Sequence, residues 1–439
     1  MIKKVIKILS VISLILILLI FYLSIFGLET TRFNKKIKNK ILESNKRINL
    51  DLNTVKIRLS PLDLKVNIIT LESKILFDNK KIKLESLKIK VPLLQLFKSQ
   101  FPIENLQISS KFIKTKTLVS FIRILKNEPK LFLLEMMIKD GHIEGNIDLN
   151  FDRKGKIKDD YKLIGSVKNF EIQILKDYHL DNLNYSFDIK EKKYKFLEID
   201  AKFNKIKLNS PLITVEEKNN LFLINGKILT KEKDISFDLI QGLLRDYFVD
   251  LDLKDLNFSS ENNFSFDLDK KFKLSSLNIN SEISLSKLTY KNNFQSIKKY
   301  FPKIKKFINL KDHKIKFNYN KDRTKIAGMG KILIQDNEDK INYEIIKKDQ
   351  KYFFKKTLET KQDISINELQ YKKEKKKKAS IKIEGLLSKN NNIFFNEISL
   401  IENDNSILLK NLNLNNKLKV SDISSLIIFD ASKPSPVKV

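Results

Sequence analysis

The sequence predicts a mainly β protein: one N-terminal transmembrane helix, then a long antiparallel sheet with a few short amphipathic helices. Three observations lead there. Residues 8–26 carry no charge, alternation of apolar and polar residues dominates from about Asn49 onward, and helical periodicity is confined to short patches.

Lys3, Lys4 and Lys7 precede the apolar run, which only Ser10, Ser13, Tyr22 and Ser24 interrupt. At about 1.5 Å per residue it is close to the roughly 30 Å of a hydrocarbon layer. A cleavable signal peptide has a shorter apolar region, about 7–15 residues, and a small-residue cleavage site. Ile25, Phe26, Gly27, Leu28 and Glu29 offer no such site, which favours an uncleaved anchor over residues 1–28. The flank after the run (Arg32, Lys35, Lys36, Lys38, Lys40) is more basic than the one before it. Counting positive charges puts the large domain in the cytoplasm, but long domains translocate despite such charges, so the count leaves orientation open.

Hydrophobic residues make up 42% of the 439, too many for a disordered chain. There is no cysteine, which removes disulfides, thiolate metal sites and a cysteine nucleophile. The net charge of +31 accompanies an excess of Lys, Ile, Asn and Phe, residues that share A/T-rich codons. Lysine is spread along the whole chain on the polar half of the alternating pattern, so the charge is read as mainly compositional. It still favours anionic lipid surfaces. A nucleic-acid footprint is clustered and interleaved with recognition motifs; none is found, and no nucleic-acid partner is expected.

Alternation defines the strands. Val55, Ile57 and Leu59 alternate with polar residues, as do Leu62, Leu64, Val66 and Ile68, and the pattern persists to Leu412, Leu414, Leu418 and Val420. Side chains in a strand point alternately to opposite faces, so each run gives one apolar and one polar face, as in an antiparallel sheet with one wet side. A second pattern recurs: two alternating apolar residues, two polar residues, then another alternating pair. Leu251, Leu253, Leu256 and Phe258 form one case; Phe272, Leu274, Leu277 and Ile279 another; Ile283, Leu285, Leu288 and Tyr290 a third. A step of three sends the apolar side to the other face of a continuous strand, so a bulge or turn is expected at each step.

Helical spacing joins Leu118, Ile122 and Leu125 before Pro129, and Phe294, Ile297, Phe301, Ile304 and Ile308 around Pro302, which must kink or split that helix. Residues 30–47 also read as a basic helix just outside the membrane. These helices are taken as clips on the sheet, with membrane-surface helices as the alternative. The lysine run at residues 372–378 reads as a solvated loop.

The passage Asn49 to Leu52, leading into strands around Leu59, Ser60, Pro61 and Leu62, resembles the opening of AsmA-like proteins. Ile82, Leu84, Leu87, Ile89 and Val91, with Pro92, Leu93 and Leu94 after them, are similar to that family's strand and short leucine-rich turn. Phe101 to Ile108 fits the family's next strand, and Ile138 to Gly145 resembles glycine-plus-strand passages of the wider AsmA and TamB group. The resemblance covers roughly the first 170 residues. It implies an inner-membrane anchor with the N-terminus cytoplasmic, a periplasmic body, and a long curved sheet, a repeating β-groove whose apolar concave face carries phospholipid in a bacterial envelope. The chain is short for a complete bridge between two membranes.

Enzymatic chemistry has little purchase. His142, His179 and His313 stand alone without metal-ligand spacing, and each is read as solvated or loosely packed. Gly328, Met329, Gly330 and Lys331 lack the spacing and downstream helix of a phosphate loop, and are read as a flexible strand entry. No catalytic residue, metal site or cofactor is expected.

The resulting expectation is a non-enzymatic, membrane-anchored lipid-binding protein. It has an anchor over 1–28, an AsmA-like β domain over 29–170, a continuing β region over 171–425 and a flexible tail over 426–439. Lipid contact is assigned to Val55, Ile57, Leu59, Leu64, Val66, Ile68, Ile82, Leu84, Leu87 and Ile89. Two alternatives stay open: the alternation builds the closed core of a two-sheet sandwich or barrel, and the protein is a scaffold or assembly factor for other envelope proteins.

Overall fold

The computed structural model describes all residues except 1, 33, 36–37, 40–41, 43–44, 96–102, 176–177, 233–252, 272, 292–297, 374–375, 389–391, 418, 431–434 and 439. Twenty-five strands join in one antiparallel sheet, with a separate two-stranded ribbon. The expectation of a mainly β chain led by one long apolar helix is met. By contacts the chain divides into two units, residues 1–204 with 211–217, and residues 205–210 with 218–439.

The first unit begins with α1 (Ile2–Ile25), β1 (Leu28–Thr30), β2 (Ile48–Asp51), β3 (Val55–Ser60), β4 (Lys65–Leu71) and β5 (Lys74–Phe77). It continues through β6 (Lys80–Pro92), β7 (Asn105–Lys114), α2 (Thr115–Leu125), α3 (Pro129–Met137) and β8 (Ile138–Asn150). β9 (Lys162–Leu175), β10 (Tyr178–Lys190) and β11 (Lys193–Phe203) complete it, and the division falls within β12 (Ile206–Lys218). α1 is long and apolar enough to cross a membrane. It ends at Gly27, whose φ of +73° suits a residue without Cβ, and β1 then pairs with β3 from Leu28 opposite Ile57.

The second unit contains β13 (Leu221–Glu232), β14 (Leu253–Asp269), β15 (Leu274–Lys291), β16 (Phe307–Tyr319), β17 (Arg323–Leu333), β18 (Glu338–Lys348) and β19 (Lys351–Thr360). The ribbon β20 (Ser365–Ile366) and β21 (Tyr371–Lys372) interrupts the sheet. β22 (Ala379–Leu387), β23 (Ile393–Glu402), β24 (Asn405–Leu414), β25 (Val420–Asp422), β26 (Ser425–Phe429) and β27 (Val437–Lys438) complete the unit.

With so few glycines, the hairpins turn on other residues. Asp78 with Asn79, Glu191 with Lys192, and Asp349 with Gln350 adopt positive φ in two-residue connections, matching the twist of the flanking strands. Each step of three in the apolar pattern carries a register shift, as expected. Shifts fall between Leu84 and Ser86 in β6, between Leu253 and Asp255 in β14, and at two places in β15, beside Ser276 and Ser286. The extra residue restores the face, so Leu84 and Leu87 lie on the same side despite their odd spacing.

Several expectations are corrected. Leu62 and Leu64 are not strand residues. Pro61 opens a turn closed by a Ser60 Oγ–H donating to Asp63 Oδ2 at 3.0 Å, Leu64 takes φ +50°, and the strand starts at Lys65. The helix over residues 294–308 does not form where described: Lys298 and Lys299 lie in a short 3-10 turn and β16 starts at Phe307, while Phe294 and Ile297 lie outside the described residues. Within residues 30–47, Thr30 ends β1, and Asn34, Lys35, Lys38, Asn39 and Leu42 are helical among the described residues. β26 hydrogen-bonds to β24, so the part of the expected tail before Asp430 is sheet; residues 431–434 lie outside the described residues. Leu251, Phe272, Leu418, Phe101 and Pro102, all part of the apolar patterns and resemblance above, also lie outside them.

Candidate functional site: the apolar face of the sheet

Register assembles the alternating residues into cross-strand rows. In the first unit Leu28, Ile57, Ile68, Ile89, Leu106 and Leu149 stand opposite one another across β1, β3, β4, β6, β7 and β8. Beside them runs Val55, Thr70, Leu87, Ile108, Ile147 and Leu163, and on the other side Leu59, Val66 and Val91. The opposite face carries Lys88, Lys90, Gln107, Asn105 and Asp148, with Asn105 and Gln107 side-chain amides donating to the Asp148 carboxylate.

The expected lipid-contacting residues therefore divide. Ile57, Leu59, Val66, Ile68, Leu87 and Ile89 share the face and are half-buried, with Val55 among them but buried. Ile82 and Leu84 lie on the same side but are buried in a packed cluster with Phe77 and Ile113, against which Leu118, Phe121 and Ile124 of α2 are packed. Leu64 is exposed in its turn, off the face.

α2 thus plugs one end of the face. Its inner side is Leu118, Phe121 and Ile124 rather than the expected Leu118, Ile122 and Leu125, because Ile122 and Leu125 remain exposed. α3, started by Pro129 at its first turn, had no sequence signal, since its apolar residues surround the helix. Glu135 of α3 ties the helices to the sheet: its carboxylate accepts from Ser120 Oγ at 2.5 Å, Arg123 Nε at 2.9 Å and Lys80 Nζ at 3.3 Å. Burial pushes this carboxyl up, but the hydrogen bonds from Ser120 and Lys80 outweigh it and hold the group below its ordinary value.

No family model, curated protein or solved structure matches the chain.

The second unit repeats the arrangement. One row runs Phe317, Ile326, Ile345, Phe354, Gly385, Phe395 and Leu412. The next runs Ile283, Ile315, Gly328, Tyr343, Lys356, Ile383, Ile398 and Leu409. A third ends Ile341, Leu358, Ile381, Leu400 and Ile407. Among the described residues one end of this face is plugged: Ile364, Ile366, Leu369 and Tyr371 pack with Leu400 and Ile407.

Gly328 and Gly330 are mid-strand in β17, not a strand entry. A Cβ on Gly328 would fall 2.5 Å from the Tyr343 ring, and one on Gly330 would strike the His313 ring. That close approach explains why His313 is buried rather than solvated or loosely packed. Its Nε2 lies 3.0 Å from the Lys331 carbonyl, to which it donates, and its Nδ1 lies 3.3 Å from the Tyr343 hydroxyl. His179 is exposed and His142 half-buried. Among the described residues no cluster of three or more His, Asp or Glu side chains is arranged to hold a metal ion.

Proposed function

We propose that this chain is a membrane-anchored, non-enzymatic protein that holds lipid hydrocarbon on the apolar face of its sheet. The single observation that carries the reading is the row of Ile57, Ile68, Ile89, Leu106 and Leu149. Five aliphatic residues stand side by side on consecutive paired strands, none of them buried, with the covering helix α2 packed elsewhere. A contiguous apolar surface left half-open to solvent in this way suits a ligand, membrane or protein contact. An acyl chain suits it because this row is wholly aliphatic and offers no partner to a polar ligand.

The energetics favour such a face as a carrier. Each buried methylene contributes about 0.8 kcal/mol, so two chains of about 16 carbons cost on the order of 25 kcal/mol to expose to water. A strip of Ile, Leu and Val offsets much of that. Ile, Leu and Val on one side with Lys, Asn and Asp on the other let a single sheet stay soluble while keeping the strip dry. α1 would hold the strip beside its lipid source. The N-terminal resemblance to AsmA-like proteins supports a bacterial inner-membrane anchor, a periplasmic body and a part in phospholipid transfer or outer-membrane homeostasis, with other envelope proteins as further contacts.

The test is native mass spectrometry with lipid extraction on the full chain in detergent, comparing the parent with Ile57→Asp combined with Val66→Asp. Co-purifying phospholipid that the charged variant loses, with its circular dichroism unchanged, supports the reading. A folded parent that carries no lipid, or a charged variant that keeps it, overturns the reading.

A further inference from the structure

Lys356 breaks the chemistry of its surroundings. It occupies the apolar side of β19 between Phe354 and Leu358, with Tyr343 opposite on β18 and Ile383 opposite on β22. The pairing on both sides of this position runs without a register shift, so the strand's alternation is intact and Lys356 belongs to the apolar face. Lys355, its neighbour, points the other way and pairs with Glu384 at 3.6 Å.

Lysines on amphipathic surfaces commonly lay the stem on apolar neighbours and lift the ammonium to a polar edge. Here the rows on both sides are apolar: Ile345 and Phe354 flank it on one side, Ile341 and Leu358 on the other. Among the described residues no carboxylate is paired with it, and desolvation by these groups pushes its ammonium below the ordinary lysine value. Tyr343 supplies no charge, and its hydroxyl lies 3.3 Å from His313 Nδ1. Lys356 nevertheless stays accessible to solvent. An ammonium standing on an apolar face without a paired carboxylate offers a charge-assisted donor to an anionic group that lies on that face.

We propose that Lys356 receives the phosphate of an acidic phospholipid whose acyl chains lie on the adjoining rows. The inference rests on the lipid-binding reading above and adds a headgroup class to it. The rows give the lipid its hydrocarbon contact, and the ammonium gives one charge-assisted hydrogen bond with the Tyr343 oxygen beside it as an acceptor for a headgroup hydroxyl.

The experiment loads the full chain in detergent with equal amounts of phosphatidylglycerol and phosphatidylcholine and measures the bound ratio by native mass spectrometry. Parent, Lys356→Met, Lys356→Arg and Lys355→Met are compared, and the parent is also challenged with inorganic phosphate. The expected result is a preference for phosphatidylglycerol that falls about tenfold in Lys356→Met, the effect of losing one charged hydrogen bond. Lys356→Arg and Lys355→Met keep the preference, and inorganic phosphate does not displace the lipid. An unchanged ratio in Lys356→Met overturns the headgroup assignment while leaving lipid binding intact. Displacement by inorganic phosphate makes it a simple anion site and overturns the lipid source. A parent that binds neither lipid overturns the underlying function as well, so the two failures are distinguishable. Lys356→Met keeps the length of an exposed side chain on an apolar face, so it retains the fold.

Discussion

The ring of Phe187 lies across the backbone of Gly165, its partner on the neighbouring strand, so closely that a Cβ built on Gly165 would sit 2.6 Å from Phe187 Cζ. The contact belongs to the apolar side of β8, β9 and β10, where Gly145 also stands opposite Gly165 and Phe196 opposite Phe187. The aromatic ring covers backbone that the two glycines leave bare, a device for pinning register in a sheet. Gly165→Ala drives a methyl into the ring and into the Glu144 carbonyl. It is expected to destabilise the first unit by roughly 1–3 kcal/mol, the usual cost of overpacking. Urea denaturation reads this as a lower midpoint, and an unchanged midpoint would show that the ring moves aside freely.

Leu84 and Ile68 separate stability from binding. Leu84 is buried under α2, and Leu84→Ala is expected to cost about 2–5 kcal/mol while leaving the lipid content of the folded fraction unchanged. Ile68 is half-buried in an uncovered row, and Ile68→Asp is expected to leave the fold within about 1 kcal/mol and remove lipid. Denaturation and lipid extraction on both variants check the pair. The reverse pattern would mean that the row around Ile68 is core.

Glu135 sets an acid limit on the plug. Its carboxyl is held below the ordinary value of 4.5, so the unfolded chain takes up a proton at higher pH than the folded one. The stabilisation is present above 4.5 and is lost as the pH falls below it toward the depressed folded value. Hydrogen-exchange protection factors in α2 and α3, taken relative to the intrinsic rate at each pH, are expected to fall on acidification through that window. Glu135→Gln, which costs roughly 1–2 kcal/mol at neutral pH, is expected to abolish the dependence. An equally steep acid response in Glu135→Gln would assign it to other carboxylates.

Period two encodes which side of a strand a residue occupies, and that sets how much of the fold and site was legible. The face shared by Ile57, Ile68 and Ile89 was readable, and so were the bulges, since Leu84 and Leu87 can share a face only through one. Alternation does not encode what lies over a face. Ile82 and Ile89 look alike in sequence, but only Ile82 sits under α2. Leu62 and Leu64 continued the alternating pattern arithmetically, and the turn that Pro61 and the Ser60–Asp63 hydrogen bond impose was hidden by it. Phe301, Ile304 and Ile308 matched helical spacing, although Ile308 instead pairs opposite Tyr290 in the sheet. Lys356 was indistinguishable from the many lysines on polar faces until register placed it opposite Tyr343.

The joint at Gly27 bears on where the sheet meets a bilayer. A Cβ on Gly27 would lie 2.7 Å from the Ile57 carbonyl oxygen and 2.8 Å from Arg58 Cγ, so α1 leaves the sheet directly beside β3 with only Phe26 and Gly27 between helix and strand. β3 is antiparallel to β1, so the chain beyond Arg58 runs back alongside α1. At about 3.3 Å per residue the turn after Ser60 is level with the last one or two turns of the helix. Leu62 is 98% exposed there and Leu94 66%, and Leu93 N–H donates to the Leu64 carbonyl at 2.8 Å, tying the two loops together. If α1 spans a bilayer, these leucines enter its interface. Because the chain has no cysteine, Leu62→Cys and Leu94→Cys each accept a single fluorescent probe. In phosphatidylethanolamine–phosphatidylglycerol vesicles both probes are expected to shift to the blue and to be quenched by spin-labelled lipid. A probe on Leu125→Cys, at the plugged end of the face, stays wet. Probes at 62 and 94 as wet as the one at 125 would place these loops in water and leave α1 as the sole membrane contact of this end of the sheet.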